Sequence, residues 1–98
     1  MQGNSVYKAP NGKLVKIELD FDGKEKLINA VKITGDFFVH PEDSLRMVEN
    51  RLMGLPLDKK FLADSVDAFL KENEIQGFGF TPPDLAHAIL LAAGMEKG

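Results

Sequence analysis

Apolar and polar residues alternate without a break across positions 15–21, with Val15, Ile17, Leu19 and Phe21 set against Lys16, Glu18 and Asp20. A two-residue period puts the apolar side chains on one side of an extended chain, which predicts a strand with one buried face. A shorter strand is expected over residues 5–9. It joins the first through Pro10-Asn11-Gly12, where Asn-Gly supplies the positive φ values that a tight hairpin needs. A third strand is expected over residues 27–34, beyond an Asp22-Gly23-Lys24 turn, with Leu27, Val31 and Ile33 facing one way and Lys32 and Thr34 the other. Links this short force antiparallel neighbours, so the strands form a meander.

After residue 40 the period becomes helical. Leu45, Val48, Leu52 and Met53 mark the apolar stripe of a helix over residues 41–53, with Glu42 and Asp43 in a first turn whose dipole favours acids and Gly54 placed to end it. A second helix is expected from an Asp58 cap to residue 72, burying Leu62, Val66, Phe69 and Leu70. Thr81-Pro82-Pro83-Asp84 offers a capping hydroxyl, prolines suited to the first turn and an acid three residues on, so a third helix starts there and ends near Gly94. Its stripe of Leu85, Ile89 and Ala92 is narrow, and its further alanines allow a neighbour to approach closely. Between the last two helices, Gln76-Gly77-Phe78-Gly79-Phe80 reads as a close-packed loop, a short added edge strand or a partner-binding loop. The pattern as a whole is α+β: a three-stranded antiparallel meander with three helices covering one face, organised as one domain over residues 1–98.

The junction between sheet and helices, residues 33–41, reads Ile-Thr-Gly-Asp-Phe-Phe-Val-His-Pro. Glycine accepts φ > 0 with no Cβ clash, so Gly35 suits a sharp turn at the strand end, where Asp36 is placed to accept hydrogen bonds from nearby amides. Pro41 fits the first turn of a helix. Adjacent residues of an extended segment point to opposite faces, so Phe37 and Phe38 do not readily share one core. Two readings stay open: helices cover both rings, or one ring faces a second surface and docks a partner.

Charge and composition narrow the function classes. The net charge is −3, yet residues 1–35 hold six lysines against four acids, and the remainder holds six bases against eleven acids. A mildly basic sheet can approach a phosphate that acidic helices repel, although lysines on a wet sheet face also serve simply as solubilising groups. The acidic balance, the single tyrosine, the absence of tryptophan and the alternation of lysines with acids argue against a nucleic-acid partner. The absence of cysteine removes disulfides, thiolate metal sites and a Cys nucleophile. No apolar run approaches the ~20 residues of a membrane span, and residues 1–5 lack the basic and apolar regions of a signal peptide, so a cytoplasmic protein is expected.

Candidate chemistry is sparse. His40 and His87 fall on different elements and do not form a two-ligand metal spacing, Gly12-Lys13 lacks the rest of a phosphate-binding loop, and Ser5, Ser44 and Ser65 have no adjacent base. No self-contained active site is expected. Lys13 stands apart: it follows Asn11-Gly12 at a hairpin tip, from which an ammonium can reach a phosphate held by another protein or simply remain solvated.

Two motifs occur in fixed order: Tyr7-Lys8-Ala9-Pro10-Asn11-Gly12-Lys13-Leu14, and Lys32-Ile33-Thr34-Gly35-Asp36-Phe37-Phe38. Over residues 7–54 they resemble the small C-terminal domain of the lipoate-protein ligase family, in which a Lys-x-Pro-x-Gly-Lys-Leu run precedes a Lys-Ile-Thr-Gly-Asp-Phe-Phe run. That domain is either fused behind a catalytic domain or made separately, and a short chain beginning at Met1 looks like the separate form. The resemblance implies an architecture similar to the SufE/IscU group of iron–sulfur assembly proteins, whose cysteine chemistry is not carried over to a chain without cysteine. It also implies an accessory subunit, needed when a catalytic subunit activates lipoate with ATP and Mg2+ to lipoyl-AMP before transfer to a lysine of a lipoyl-acceptor domain. The chain itself would bind no cofactor. Gly35, Asp36, Phe37, Phe38 and His40 are then the expected partner-docking residues, and Lys13, on its Asn11-Gly12 turn, the expected phosphate-assisting group. The competing classes are a non-enzymic adaptor that recruits the acceptor protein and a small-molecule regulatory domain.

Overall fold

The alternation across residues 15–21 becomes the central strand of the molecule. The structure, a computed structural model, describes residues 1–10 and 12–96 and runs β1 (Gln2–Lys8), β2 (Leu14–Asp22), β3 (Leu27–Gly35), β4 (Phe38–His40), α1 (Ser44–Leu52), α2 (Lys59–Glu72), β5 (Gln76–Phe78) and α3 (Pro82–Ala92). The first three strands form an antiparallel sheet in the order β1-β2-β3, as the short links require, and Val15, Ile17, Leu19 and Phe21 are all buried on its inner face. Against that face lie α3, which packs on β1 and β2, and α1, which packs on β3; α2 packs mainly on α3 and α1. The helices therefore make two layers rather than one cover.

Several boundaries differ from expectation for identifiable reasons. β1 begins at Gln2, well before residue 5, because its inner face is Gly3, Ser5 and Tyr7, too small and polar to give an apolar signal. Those small groups let α3 lie close: a Cβ on Gly3 would collide with the Ala92 carbonyl, and the Ser5 hydroxyl donates to the Ala88 carbonyl at 2.7 Å. In β3 the register shifts, Asp20 facing Ala30 but Phe21 facing Ile28. Asn29 is the extra residue of a β-bulge, and the parity of the strand switches there. Ile28 is thus the buried residue, 1% exposed, where the alternation had pointed to Leu27.

Both hairpin turns also depart from the two-residue type. Ala9 N–H donates to the Lys13 carbonyl and Gly12 N–H to the Ala9 carbonyl, each at 2.8 Å, and Gly12 has φ +87°. This is a three-residue loop closed by a left-handed glycine. Asn11, expected to share the positive φ, lies outside the described residues. At the other turn the left-handed residue is Lys26, not Gly23, and the Asp22 carboxylate accepts from the N–H groups of Lys24 and Glu25 at 2.8 and 2.9 Å.

α1 starts at Ser44, three residues later than expected, because residues 41–43 form a turn in which Ser44 N–H donates to the Pro41 carbonyl. Asp43 is its N-cap residue without a side-chain cap bond, so neither Glu42 nor Asp43 lies in the first helical turn, and Pro41 is not its first residue. Met53 is exposed beyond the helix end instead of completing the stripe. The Asp58 cap accepts from Phe61 N–H at 2.8 Å, and Thr81 and Asp84 close a capping box, both as expected. The α3 face is broader than a stripe: Leu85, Ala86, Ala88, Ile89, Leu90 and Ala92 are all buried between the sheet and α2. Glu49 of α1 accepts from Ile33 N–H on the outer edge of β3 at 2.7 Å, which occupies an edge donor that another strand would otherwise use.

Candidate functional site

Lys13 immediately precedes the return strand of the first hairpin, and hydrogen bonds of the main chain hold it on both sides. Its carbonyl accepts from Ala9 N–H, and the next amide, Leu14 N–H, donates to Asp36 Oδ1 at 2.6 Å. Asp36 N–H in turn donates to the Leu14 carbonyl at 3.3 Å. The carboxylate anticipated to bind nearby amides thus ties the kink after β3 to the residue beside Lys13. Gly35 makes the close approach workable, since a Cβ there would collide with the Leu14 carbonyl.

From this clamp the two phenylalanines diverge. Phe37 turns inward, 9% exposed, and packs on Phe80 with ring centroids 4.8 Å apart. Phe38 turns outward in β4, 66% exposed, and stacks on Phe78 at 5.1 Å. β4 and β5 form a separate antiparallel ribbon, in which Phe38 faces Phe78, Val39 faces Gly77 and His40 faces Gln76. His40 is an exposed ribbon residue whose peptide to Pro41 is cis.

The expected site residues Lys13, Gly35, Asp36, Phe37 and Phe38 therefore converge, together with a stretch whose role the sequence had left divided. Gln76-Gly77-Phe78 is the strand of that reading, but it pairs with β4 and not with the main sheet. Phe78 and Phe80 would share a face of a continuous strand. Gly79, with φ +100°, breaks the alternation, so one ring joins the outer pair and the other the inner pair. A Cβ on Gly79 would lie 3.1 Å from Lys13 Cγ and 3.0 Å from Phe37 Cβ, so this glycine sits where the hairpin meets the kink. The available signal was that both aromatic pairs follow glycines in short extended segments; three-residue strands carry too little periodicity to reveal that they pair.

The arrangement presents a lysine and a stacked aromatic pair from a braced framework. Among the described residues no group of three or more His, Asp or Glu side chains is gathered where it could hold a metal ion. His87 lies elsewhere, on α3, against the ring of Tyr7 and 3.7 Å from Glu96. Among the described residues no helix is long and apolar enough to cross a membrane.

Residues 9–89 match the family model for the bacterial lipoate protein ligase C-terminus. The chain is 35% identical over 89 residues to lipoate-protein ligase A subunit 2 of Thermoplasma acidophilum, covering 91% of this chain and 88% of that protein. A chain in the solved structure of an archaeal lipoylation system from the same organism, a bi-partite lipoate protein ligase and its E2 lipoyl domain, superposes with a TM-score of 0.75 at 30% identity, covering 91% of this chain and 94% of that one.

Proposed function

The chain belongs to the lipoate-protein ligase C-terminal family, and from that premise we propose that it is the accessory subunit of a two-chain lipoate-protein ligase, working in the cytoplasm. The observation that carries this reading is the near full-length match to a protein that is itself the second subunit of such a ligase. The catalytic subunit binds lipoate, ATP and Mg2+. There the lipoate carboxylate attacks the α-phosphorus of ATP, pyrophosphate leaves, and lipoyl-AMP forms. A lysine amine of a lipoyl-acceptor domain then attacks the lipoyl carbonyl and releases AMP.

This chain contributes to the first step without supplying a nucleophile. Phe38 and Phe78 are the docking anchors, since large exposed rings on a rigid ribbon lose little conformational entropy on burial. Once docked, the domain helps to exclude water from the adenylation site, and Lys13 supplies positive charge where negative charge develops on phosphate. The test measures lipoyl-AMP formation and transfer from preformed lipoyl-AMP separately, on the catalytic subunit with and without this chain. Omission is expected to abolish the first and largely spare the second. A loss confined to transfer would make the chain an adaptor for the acceptor protein, and dependence on an added small molecule would make it a regulatory domain.

A further inference from the structure

We propose that Gly79 is a positioning residue for Lys13, leaving open the space that the lysine stem passes on its way out of the hairpin; this rests on the reading of Lys13 given above. A Cβ at Gly79 would lie 3.1 Å from Lys13 Cγ, 3.0 Å from Phe37 Cβ and 3.3 Å from Phe37 Cα. At such separations one neighbour must give way. Phe37 is poorly able to, being 9% exposed with its ring against Phe80. The exposed lysine stem is the part that moves.

The lysine backbone, in contrast, is fixed. Its carbonyl accepts from Ala9 N–H at 2.8 Å, and the following amide is held by Asp36 at 2.6 Å. With the backbone anchored and Cγ bounded by residue 79, the direction in which the side chain leaves the hairpin depends on there being no side chain at that position. A methyl group there redirects the ammonium while leaving its charge intact. Misplacing a charged group by about 1 Å in an enclosed site costs up to about 100-fold in rate.

Gly79 also has φ +100°, so Gly79→Ala strains the backbone as well as crowding the lysine. Gly54 separates the two effects, since it has φ +83° with nothing within 4 Å of an added Cβ. In complexes with the catalytic subunit, Gly79→Ala is expected to slow lipoyl-AMP formation on the order of 10- to 100-fold without weakening assembly, whereas Gly54→Ala changes the rate little. Added to Lys13→Ala, Gly79→Ala should cost nothing more, because the group it misplaces is gone. Equal slowing by Gly79→Ala in the presence and absence of Lys13 overturns the inference while leaving the role of Lys13 standing. An undiminished rate in Lys13→Ala overturns that role and the inference with it. Should Gly79→Ala fail to fold, a nuclear Overhauser contact between the Lys13 γ protons and the Gly79 α protons in the unaltered chain is expected, and its absence overturns the inference.

Discussion

Phe37 and Phe38 are neighbours of identical chemistry with opposite surroundings, so the consequences of losing either ring should separate cleanly. Phe37 is in the core beside Phe80, and truncating a buried phenylalanine typically costs about 3–5 kcal/mol through lost transfer energy and a residual cavity. Phe37→Ala is therefore expected to lower the midpoint of denaturant unfolding sharply. Phe38 is largely exposed, and its stack on Phe78 is worth roughly 0.5–1.5 kcal/mol. Phe38→Ala should lower the unfolding midpoint much less than Phe37→Ala does. Its effect belongs to the complex, where removing an interface anchor costs ~2 kcal/mol, or about 30-fold in Kd measured by calorimetric titration with the catalytic subunit. Unchanged affinity in Phe38→Ala and in Phe78→Ala would remove the aromatic pair from the interface.

Among the elements, those defined by period, by a cap or by a short link to the next strand were readable from the chain, and those defined by register or by pairing across a long separation were not. The alternation of β2, the Asp58 and Thr81 caps and the Gly54 stop are local statements, each a few residues long and each present in the structure. The bulge at Asn29 is a property of two strands together, so the sequence of β3 alone pointed to Leu27 where Ile28 is buried. The β4–β5 ribbon joins segments almost forty residues apart with three residues each. Lys13 and the kink could be singled out from their residue types, whereas the clamp from Asp36 to Leu14 and the gap at Gly79 exist only once the chain is folded. The β2–β3 turn adds a pH dependence of its own. N–H groups of Glu25 and then Lys24 donate to the Asp22 carboxylate and hold its pKa below the ordinary value. A pKa lowered on folding contributes stability at neutral pH that is lost as pH falls through the folded value. Asp22→Asn, which keeps an acceptor but no charge, should thus be less stable than the parent near neutrality and converge with it in acid. Thermal unfolding from neutral pH down through the carboxylate range checks this; a gap constant across that range would mean that the charge at the turn contributes nothing.

At the scale of the whole molecule, the two hairpin turns stand at opposite ends of the central strand. Lys13 adjoins the start of β2, and Lys24 lies in the turn that follows its end at Asp22. Nine strand residues at ~3.3 Å each put roughly 30 Å between the two turns, close to the 34 Å long axis of the molecule. Only the Lys13 end carries the exposed aromatic pair and the Asp36 clamp, so a partner seated on Phe38 and Phe78 approaches one lysine and not the other. Equal charge at unequal distance makes Lys24→Ala the control for Lys13→Ala, because both remove one exposed cation from a turn and long-range effects are screened within about 10 Å at ordinary ionic strength. If Lys13 stabilises the charge that develops on phosphate, Lys13→Ala lowers lipoyl-AMP formation by the complex while assembly is retained. Losing one such contact in an enclosed site is worth roughly 2–4 kcal/mol, or about 30- to 1000-fold in rate. Transfer from preformed lipoyl-AMP should suffer much less, since adenylation makes a bond to the α-phosphorus, whereas transfer attacks the lipoyl carbonyl and expels AMP. Lys24→Ala should leave both steps near the parent rates. Equal, small effects of the two substitutions on adenylation would reduce Lys13 to a structural member of its turn and make the chain a scaffold for its partner.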